Sequence, residues 1–508
     1  MYLFFNFNLN QNIRVTDGSQ TYRFDYDDQG NVRTYTARNG SGSTFNYDHA
    51  NKIKDLVVGT SNSILLSERY EYDQAGNCTK IKHEGAGGKV TETNFVYDPI
   101  NQLLNEALPN GTSKSYTYDG FGNRTSVKVV ENGKETRSIA ATFNEGNQLV
   151  KFGNESLTYD ANGNRTSDGK YKYTWNEDDQ LVAITKQGES NAFATYKYDE
   201  DNRRIEKSVN GQVTRYFYDG DSINPLYETD GSGNVLRQYV YSTSGARLAM
   251  KSKGQTLYYH YNPRGDVIAM TDQNREVVAT YEYDSWGNVL KSDAKGIAAD
   301  NPFGYAGYMY DKEIGMYYLI ARYYNPDHGV FLSVDPDPGD EDDPITQNAY
   351  TYAHNNPVMK IDADGNHPVV VGGVLLYRGY KAYKAYKNIK NVQKVAGATK
   401  KAKKVHGNSK NSTKRQHGYE IYNKSTGNVV KVGISGQKLH KNGTSPRANQ
   451  QVRDWNKQAK SDKYAARIVV KNVKNRRMAL NWEKNWVNKR FNQGNNLYKH
   501  TNPKPKRF

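Results

Sequence analysis

Residues 116–123 read Tyr-Thr-Tyr-Asp-Gly-Phe-Gly-Asn, and this octapeptide is one copy of a unit that recurs through most of the chain. The unit is an aromatic residue, any residue, Tyr-Asp, two or three further residues and Gly-Asn, followed by an apolar or basic strand. Alternate tyrosines lie on one face of a strand, and Asp with Gly-Asn is typical of a tight turn. The unit therefore predicts a β-hairpin.

Other copies follow the same pattern with small departures. Clear copies occupy 70–77, 158–164 and 281–288, and degenerate copies surround Tyr47, Tyr97, Trp175, Tyr198 and Tyr218. The tyrosines at 26, 47, 72, 97 and 118 lie 21 or 25 residues apart, the interval of a hairpin that buries its face by stacking on its neighbours. We expect a mainly β repeat shell over residues 1–300. A carbohydrate-binding surface of exposed tyrosines is the alternative, although a stacked core needs the same spacing.

The composition suits a tyrosine-based core. Hydrophobic residues make up 36% of the 508 residues, the mean hydropathy is −0.92, and 42 residues are tyrosine. A single cysteine, Cys78, excludes an internal disulfide. The sequence contains no run of 18 or more apolar residues, so it predicts no membrane span. Met1–Asn10 lacks the pattern of a secretion signal, and we therefore expect any export signal to lie on sequence outside this chain.

Charge divides the chain at Asn366. Residues 367–508 carry 34 basic and 4 acidic side chains, a net charge of +30, whereas residues 1–366 carry 36 and 50, a net charge of −14. A surplus of this size favours a polyanionic partner, nucleic acid first and an anionic membrane second. A basic tail that only solubilises the protein is the alternative.

The iterated Tyr-Asp and Gly-Asn motifs resemble the YD (Rhs) repeats of bacterial toxin shells over roughly residues 20–365. The stretches 176–186 and 305–343 are most similar to the wall-associated (WapA-type) proteins of Gram-positive bacteria. The resemblance implies repeats that wind into a hollow β-cocoon around a toxin, here in a partial version. It also implies a secreted or cell-wall-associated protein.

Residues 301–366 carry five motifs in the order found in the Rhs core-associated domain, which plugs one end of the shell. They are Gly304–Tyr308, Gly315–Pro326, Gly329–Pro336, Asn348–Pro357 and Asp362–Gly365. The resemblance implies an aspartyl autoprotease that uses Arg322, Asp335 and Asp362 and cuts near Asn366–His367. In such a pair of carboxyl groups one can donate a proton while the other activates water. Ala363 replaces the usual proline, and a role limited to closing β-turns is the alternative.

The tail divides into a basic linker at 367–415 and a small α+β domain at 416–508. The linker begins with an apolar run at 369–377 that is too short to span a membrane. The predicted elements of the domain are a hairpin at 419–434, a helix from Pro446 with Ser445 as N-cap, a strand at 464–473 and a helix at 475–492. The predicted buried positions are Ala448, Val452, Trp455 and Ala459 in the first helix and Met478, Trp482 and Trp486 in the second.

The residue types of the tail restrict its chemistry. It has no cysteine, which excludes thiolate catalysis and cysteine-ligated zinc. Its only acidic residues are Glu420, Asp454, Asp462 and Glu483. Metal-assisted cleavage of a phosphodiester needs a carboxylate on the cation and a positive group for the transition-state charge. Glu483 and Arg447 meet that minimum, and an ordinary surface glutamate is the alternative.

The order of these elements resembles the GIY-YIG (URI-type) endonucleases over about 419–502. Tyr419 matches the first-strand tyrosine, Arg447 the helical arginine and Glu483 the metal-binding glutamate. Lys431 replaces the second-strand tyrosine and is either the general base, its helper, or directed elsewhere. The resemblance implies one Mg²⁺, or another divalent cation, held by Glu483, with Tyr419 helping to activate water.

A late asparagine completes the site of that family, and Asn502 is the first candidate here, with Asn495 the second. The sequence favours the toxin of a contact-dependent toxin–immunity system, whose nuclease acts in the cytoplasm of competing cells. The substrate is tRNA, other RNA or DNA, and the family context favours RNA. A cognate immunity protein, suitably an acidic one, is implied. A cell-wall adhesive protein with a basic anchor and a pore-former that uses 369–377 are the other interpretations.

Overall fold

The structure is a computed structural model that describes residues 2–4, 13–18, 20–60, 64–84, 88–242, 245–336, 346–366, 368–370, 415–474, 476–497 and 499. The chain separates into two compact units, Met1–Lys387 and Asn388–Phe508. Most of the predicted linker, and with it most of the apolar run at 369–377, lies outside the described residues. Among the helices within the described ranges, none is long and apolar enough to cross a membrane.

Short antiparallel strands make up almost all of the first unit. The first sheet contains β1 (Tyr2–Phe4), β2 (Ile13–Asp17), β3 (Gln20–Tyr26), β4 (Val32–Thr36), β5 (Gly42–Tyr47), β6 (Ile53–Gly59), β7 (Ile64–Tyr72), β8 (Cys78–Glu84), β9 (Val90–Tyr97), β10 (Leu103–Ala107), β11 (Thr112–Tyr118), β12 (Arg124–Glu131), β13 (Lys134–Phe143), β14 (Leu149–Phe152) and β15 (Glu155–Ser156). The second contains β16 (Thr158–Tyr159), β17 (Arg165–Ser167), β18 (Tyr171–Trp175), β19 (Leu181–Lys186), β20 (Ala194–Tyr198), β21 (Arg204–Val209), β22 (Gln212–Tyr218), β23 (Pro225–Asp230), β24 (Val235–Tyr241), β25 (Arg247–Ser252), β26 (Gln255–Tyr261), β27 (Val267–Thr271), β28 (Val277–Tyr283) and β29 (Val289–Ala294).

Both large sheets are meanders in which each strand pairs with the strands before and after it in sequence. A four-stranded sheet follows, made of β30 (Met309–Asp311), β31 (Met316–Leu319), β32 (Arg322–Asn325) and β33 (Val330–Phe331), and β34 (Lys360–Asp362) pairs with β35 (Pro368–Val370). Short 3₁₀ helices occupy Gly296–Asp300, Tyr305–Gly307 and Ala353–Asn355. The prediction of a mainly β repeat fold is confirmed.

The turn of each unit is closed by its aspartate. Asp119 Oδ1 accepts hydrogen bonds from the backbone N–H groups of Phe121 and Asn123, both at 2.9 Å, and its Oδ2 accepts from the Asn123 side chain at 2.9 Å. Gly122 has a φ of +75°, a left-handed conformation that glycine adopts without steric cost. The same pattern recurs at Asp73, Asp160, Asp230 and Asp284.

The tyrosine before the aspartate stabilises the preceding unit. Its strand bulges at this point, and the Tyr118 hydroxyl donates to the backbone carbonyl of Leu103 at 2.6 Å. Leu103 is the first strand residue after the previous turn. The equivalent bond is made by Tyr47, Tyr72, Tyr97, Tyr198, Tyr218, Tyr241 and Tyr261. Each Tyr-Asp pair therefore closes two successive turns, which makes neighbouring units interdependent.

The segment 301–366 docks on arginines that the repeats bury. Several strands begin with such an arginine directly after the turn: Arg124, Arg165, Arg204 and Arg247. Each of them contacts the docked segment: Arg124 binds Asp327 O at 2.5 Å, Arg165 binds His328 Nδ1 at 3.1 Å, Arg204 binds Asp311 Oδ1 at 3.0 Å, and Arg247 lies 3.1 Å from the centre of the Phe303 ring. The basic residue of the unit is thus an internal anchor.

The motif at 348–356 contacts successive turns of the first sheet and one turn of the second. Its hydrogen bonds are Asn356 to Asn77 (2.9 Å), Asn355 to Gln102 (2.8 Å), Asn348 to Asn123 (2.7 Å) and the Tyr350 hydroxyl to the Gly163 carbonyl (2.7 Å). Asn77, Gln102 and Asn123 occupy the same position of their units, four residues after the aspartate. Each of these contacts matches one residue of the segment to one unit of the shell.

The second unit is a three-stranded sheet with two helices. Its elements are β36 (Gln416–Asn423), β37 (Val429–Ser435), α1 (Pro446–Ala459), β38 (Tyr464–Val473) and α2 (Arg476–Asn492), with β36 at the centre of the sheet. Ser445 caps α1 as predicted, because its hydroxyl accepts from the Ala448 N–H at 3.3 Å. The predicted hairpin, helices and strand are all present.

Two predicted buried positions are wrong. Ala459 is exposed at the end of α1, and Met478 in α2 is 49% exposed. In α2, Ala479 and Val487 are fully buried instead, and Glu483 lies between them on the same face because residues four apart share a helix face. The helix is therefore rotated by about one residue from the predicted phase, and the rotation turns Glu483 inwards.

Candidate functional site

Tyr419 lies at the centre of the second unit's sheet. Its ring packs over Gly433 on the neighbouring strand β37, where a Cβ atom would approach the ring and the hydroxyl to 2.6 Å. Glycine is therefore required at the end of Lys-Val-Gly to leave room for the tyrosine. Burial raises the pKa of the Tyr419 hydroxyl, so the group is neutral at physiological pH.

Two side chains of α1 act on this hydroxyl. Arg447 and Gln451, one turn apart, both oppose the rise in the pKa of Tyr419 through charge and hydrogen bonding. Gln451 Oε1 is buried and has no hydrogen-bond partner within the residues that the structure covers. The start of α1 is tied to β36, because a ring nitrogen of His417 lies 2.8 Å from the Ser445 hydroxyl. This contact fixes the distance between Tyr419 and Arg447.

Glu483 projects from α2 towards the same place. It is 8% exposed, and no hydrogen bond or ion pair to it is formed by the described part of the chain. Burial raises the pKa of Glu483 to about 7, although Arg476, Lys431 and Arg447 each lower it. A buried carboxylate with unused lone pairs inside a ring of cations is available to a ligand that brings its own positive charge.

Lys431 and Arg476 complete that ring. Burial and the nearby Arg447 lower the pKa of Lys431, while Glu483 opposes the change. Arg476, which sequence reasoning missed, begins α2 and interacts electrostatically with Glu483, Arg447 and Tyr419. Its position seven residues before Glu483 was the available signal, since that spacing places two side chains on one helix face.

The two asparagine candidates differ. Asn495 Oδ1 accepts from the Val429 N–H at 2.8 Å, and its Nδ2 donates to the Arg490 carbonyl at 3.0 Å. These bonds join the end of α2 to the start of β37, a structural role. Asn502, the first candidate, lies outside the described residues.

Glu420 shows how the domain neutralises a carboxylate that has a structural role. It is fully buried next to Tyr419 in sequence but on the opposite face of β36. It binds Arg490 and Arg467, the latter at 2.9 Å, and accepts from the Trp486 indole at 2.6 Å. Hydrogen bonds from these partners lower the pKa of Glu420 despite its burial. Among the described residues, Glu483 has no such hydrogen-bonded partners.

The surroundings of Glu483 fit a cation that keeps most of its own ligands. Within the described ranges, no cluster of three or more His, Cys, Asp or Glu residues could hold a metal ion. Mg²⁺ is commonly bound through one or two carboxylates, water and substrate phosphate. A single free carboxylate beside groups that suit a phosphate meets that requirement, whereas a site for a tightly caged metal is not formed by these residues.

The segment 301–366 holds a second polar cluster. Arg322 Nη2 donates to Asp335 at 2.7 Å and to Asp362 at 3.2 Å. Arg322 Nε donates to the Gly365 carbonyl at 2.5 Å, and Asp362 Oδ1 accepts from the Asn366 N–H at 3.0 Å. The structure thus brings the three predicted residues together around the Gly365–Asn366 peptide, one bond before the predicted cut, and His367 lies outside the described residues.

Two family models match the chain. The teneurin YD-shell model matches residues 41–358, and the URI fold toxin 2 model matches residues 409–489. The tRNA3(Ser)-specific nuclease WapA of Bacillus spizizenii is 48% identical over 375 residues, and the tRNA(Glu)-specific nuclease WapA of Bacillus subtilis subsp. natto is 50% identical over 375 residues. Each match covers 73% of this chain and 16% of the relative, so the chain spans about a sixth of the length of these proteins.

Solved structures share the fold of the first unit. The TcdB2–TccC3–TEV crystal structure aligns with a TM-score of 0.58 at 22% identity, covering 68% of this chain and 20% of that one. The Photorhabdus luminescens Tc holotoxin pore aligns with a TM-score of 0.59 at 20% identity, covering 70% and 20%. The chain belongs to the teneurin YD-shell family, as an Rhs/YD-repeat protein of the toxin type with a URI-type toxin domain at its C-terminal end.

Proposed function

We propose that the C-terminal domain is a nuclease that cleaves phosphodiester bonds and that the YD-repeat protein carries it as a toxin against competing cells. The observation that supports this most directly is the buried, unpaired Glu483 facing Arg447, Lys431 and Arg476 beside the Tyr419 hydroxyl. Attack of water on a phosphodiester places added negative charge on the phosphoryl oxygens. Two arginines to bind these oxygens, a lysine and a carboxylate that can hold a cation suit this charge distribution.

Each group has a separate task in the proposed reaction. Arg447 neutralises the phosphate next to Tyr419, whose hydroxyl orients the attacking water. Lys431, whose pKa is lowered, would in its neutral form accept the proton of that water as the new P–O bond forms and the bond to the leaving sugar oxygen breaks. Glu483 would hold Mg²⁺ or another divalent cation, which supplies positive charge at the phosphate and the leaving oxygen.

The substrate we propose is RNA, tRNA in particular, with DNA as the alternative. Support comes from the names of the WapA relatives, which are tRNA nucleases. Their matches cover 73% of this chain, and two of them are named for different tRNAs. We therefore propose no particular tRNA as the substrate.

The nuclease proposal is tested with the full chain, made by cell-free synthesis and incubated with total RNA and plasmid DNA with and without Mg²⁺. Cleavage should require the cation and should fall at least 1,000-fold in Glu483→Gln, an effect of the size that removal of a catalytic group produces (roughly 10³). Asp454→Asn is the matched control, because Asp454 is an exposed acid on α1. Equal cleavage by Glu483→Gln, or full activity in a chelator, would contradict the proposal.

The biological setting follows from the same proposal. The full-length protein is secreted or wall-associated, the toxin acts in the cytoplasm of the recipient cell, and an acidic immunity protein binds the basic tail of the producing cell's own toxin. This would be supported by an acidic protein that is encoded beside the toxin gene and that blocks cleavage by the toxin. Expression of the chain and its variants in bacteria distinguishes the alternatives. A wall anchor would be harmless to the cells. A pore-former would remain toxic as the Glu483→Gln variant but would lose its toxicity when residues 369–377 are replaced by polar residues.

We also propose that the first unit cuts its own chain at Gly365–Asn366. Arg322 Nε holds the carbonyl oxygen of this peptide, and Asp362 lies on its N–H. Arg322 would stabilise the oxyanion, Asp335, bound to the same guanidinium, would take the proton of the attacking water, and Asp362 in its protonated form would give its proton to the departing nitrogen. The C–N bond breaks as water adds to the carbonyl carbon.

Intact-mass measurement of the full chain over time tests this. Cleavage should give fragments that end at Gly365 and begin at Asn366, and Asp362→Asn should abolish it. Asp327→Asn is the control, because Asp327 pairs with Arg137 in the same unit and away from the cluster. An intact wild-type chain, or unchanged cleavage in Asp362→Asn, would contradict self-cleavage.

A further inference from the structure

Arg476 is a half-buried arginine whose hydrogen-bonding capacity is largely unused by the described residues. An arginine offers five N–H donors, and the bond formed here runs from Nη1 to Gln416 Oε1 at 3.3 Å. Its Nε is buried and has no acceptor among the residues that the structure describes. A buried donor without an acceptor is unfavourable, because it has lost its hydrogen bond to water. The arrangement therefore becomes favourable when a ligand brings oxygen atoms.

The electrostatic surroundings indicate the charge of that ligand. Arg476 and Arg447 come from different helices, and burial together with the nearby charge of Arg447 lowers the pKa of Arg476. Glu483, the nearest carboxylate on the same helix, does not form an ion pair with Arg476. Two guanidinium groups that are not neutralised by a carboxylate suit an anion placed between them.

The other face of the sheet shows how the domain holds arginines that have a structural role. There, Arg467 and Arg490 both close on the buried Glu420 and are neutralised by it. The domain thus pairs its structural arginines directly with a carboxylate. Arg476 is instead turned towards an uncharged amide, which orients its guanidinium without neutralising it.

Gln416 is itself fixed. It is 2% exposed on β36, and a Cβ atom at Gly436 would lie 2.5 Å from Gln416 Nε2, so the amide packs closely against the backbone of the residue after β37. Because this packing fixes the side-chain amide of Gln416, its oxygen points in one direction. Gln416 is therefore the positioning residue for the Arg476 guanidinium.

We propose that Arg476 is a second phosphate-binding arginine, which clamps the scissile phosphodiester together with Arg447 from the opposite helix. This proposal rests on the proposed nuclease function and adds a residue to it. Arg447 acts beside the Tyr419 hydroxyl, and Arg476 acts from the Glu483 side, so the two guanidinium groups bind different phosphoryl oxygens. A planar fork is needed for this geometry, and a lysine would provide only a point charge.

The test compares full-length variants on one cleavable RNA oligonucleotide. Arg476→Ala should lower kcat/KM about 100-fold, and Arg476→Lys should recover less than a tenth of the wild-type value. Arg453→Ala removes an equal charge from an exposed position on α1 and should stay within threefold of wild type. Addition of guanidinium ion at millimolar concentration should partly restore cleavage by Arg476→Ala, while the same concentration of sodium chloride should not.

The outcomes separate this proposal from the one it rests on. If the wild-type chain cleaves, Glu483→Gln is inactive and Arg476→Ala keeps wild-type kinetics, the second arginine is wrong and the nuclease stands. If Arg476→Ala is inactive, melts at a lower temperature and is not restored by guanidinium, Arg476 is structural and the proposal is also wrong. If the wild-type chain cleaves nothing, the nuclease function itself fails.

Discussion

At the scale of single residues, Gly433 is the position on which Tyr419 most directly depends. Gly433→Ala places a methyl group 2.6 Å from the tyrosine ring, which must shift away from Arg447. We expect nuclease activity to fall at least tenfold with a smaller loss of stability, measured as kcat/KM and Tm of the full chain. Gly427→Asn is the control, since Gly427 has a φ of +71° that asparagine tolerates and open space around it. Unchanged kinetics in Gly433→Ala would exclude a functional role for the Tyr419 position.

His260 makes the shell sensitive to acid. Burial lowers the pKa of His260 to about 4, whereas an unfolded histidine titrates at about 6.5. Between these values the unfolded chain binds the additional proton, so stability is complete above pH 6.5 and is lost as the pH falls towards 4. At pH 5 the loss is about 2 kcal/mol.

The check is thermal or urea unfolding of the wild type and His260→Gln at pH 7.5 and pH 5. The variant should lose less stability on acidification, by about 2 kcal/mol, because glutamine keeps a polar group near Thr271 without titrating. An equal loss in both proteins would show that His260 is not the source.

Residue chemistry and the resemblance to the URI-type endonucleases selected Tyr419, Arg447 and Glu483, and the structure places them together. The sequence did not single out Arg476. One basic residue among the 34 of the tail has no distinguishing mark until its hydrogen-bond acceptors can be counted in the structure. The phase of α2 was also missed: two tryptophans suggested the buried face, but the smaller Ala479 and Val487 occupy it. Which apolar residues of a helix enter the core depends on the surface that the helix packs against, and the sequence of the helix alone does not describe that surface.

At the scale of elements, the position four residues after each turn aspartate carries two functions. In Asn123 the side chain closes its own turn, reaches Asn147 in the next one at 3.0 Å and accepts from Asn348. Asn234 occupies the same position, is exposed, and its side chain bonds Asp230 in its own turn. The unit's sequence predicted the turn but could not show which copies meet the segment at 348–356.

Asn123→Ala should therefore cost more stability than Asn234→Ala. We expect a difference of about 1–3 kcal/mol in the free energy of unfolding, since the first change leaves the buried Asn348 amide without one acceptor. Urea unfolding of the two full-length variants gives this difference directly. Equal destabilisation would mean that the bond to Asn348 contributes nothing.

At the scale of the whole molecule, the uneven distribution of charge determines how the chain meets nucleic acid. With a net +30 on residues 367–508 and −14 on the remainder, binding of RNA should depend on the tail and fall steeply with salt. For about five phosphate contacts, affinity should drop roughly 100-fold between 50 and 200 mM salt. Fluorescence anisotropy of a labelled RNA with the inactive Glu483→Gln chain measures this, and a salt-independent affinity would exclude binding through the basic tail.

The contacts between residues 348–356 and successive shell turns have a consequence for how such proteins change over evolutionary time. Asn356, Asn355 and Asn348 each require a particular unit at a particular place, from Asn77 to Asn123. Gain or loss of one hairpin inside that stretch by recombination would shift every later unit past its partner at once. The number of hairpins in this part of the array is therefore constrained by its contacts with residues 348–356. A duplicated hairpin is tolerated only where those residues do not contact the shell.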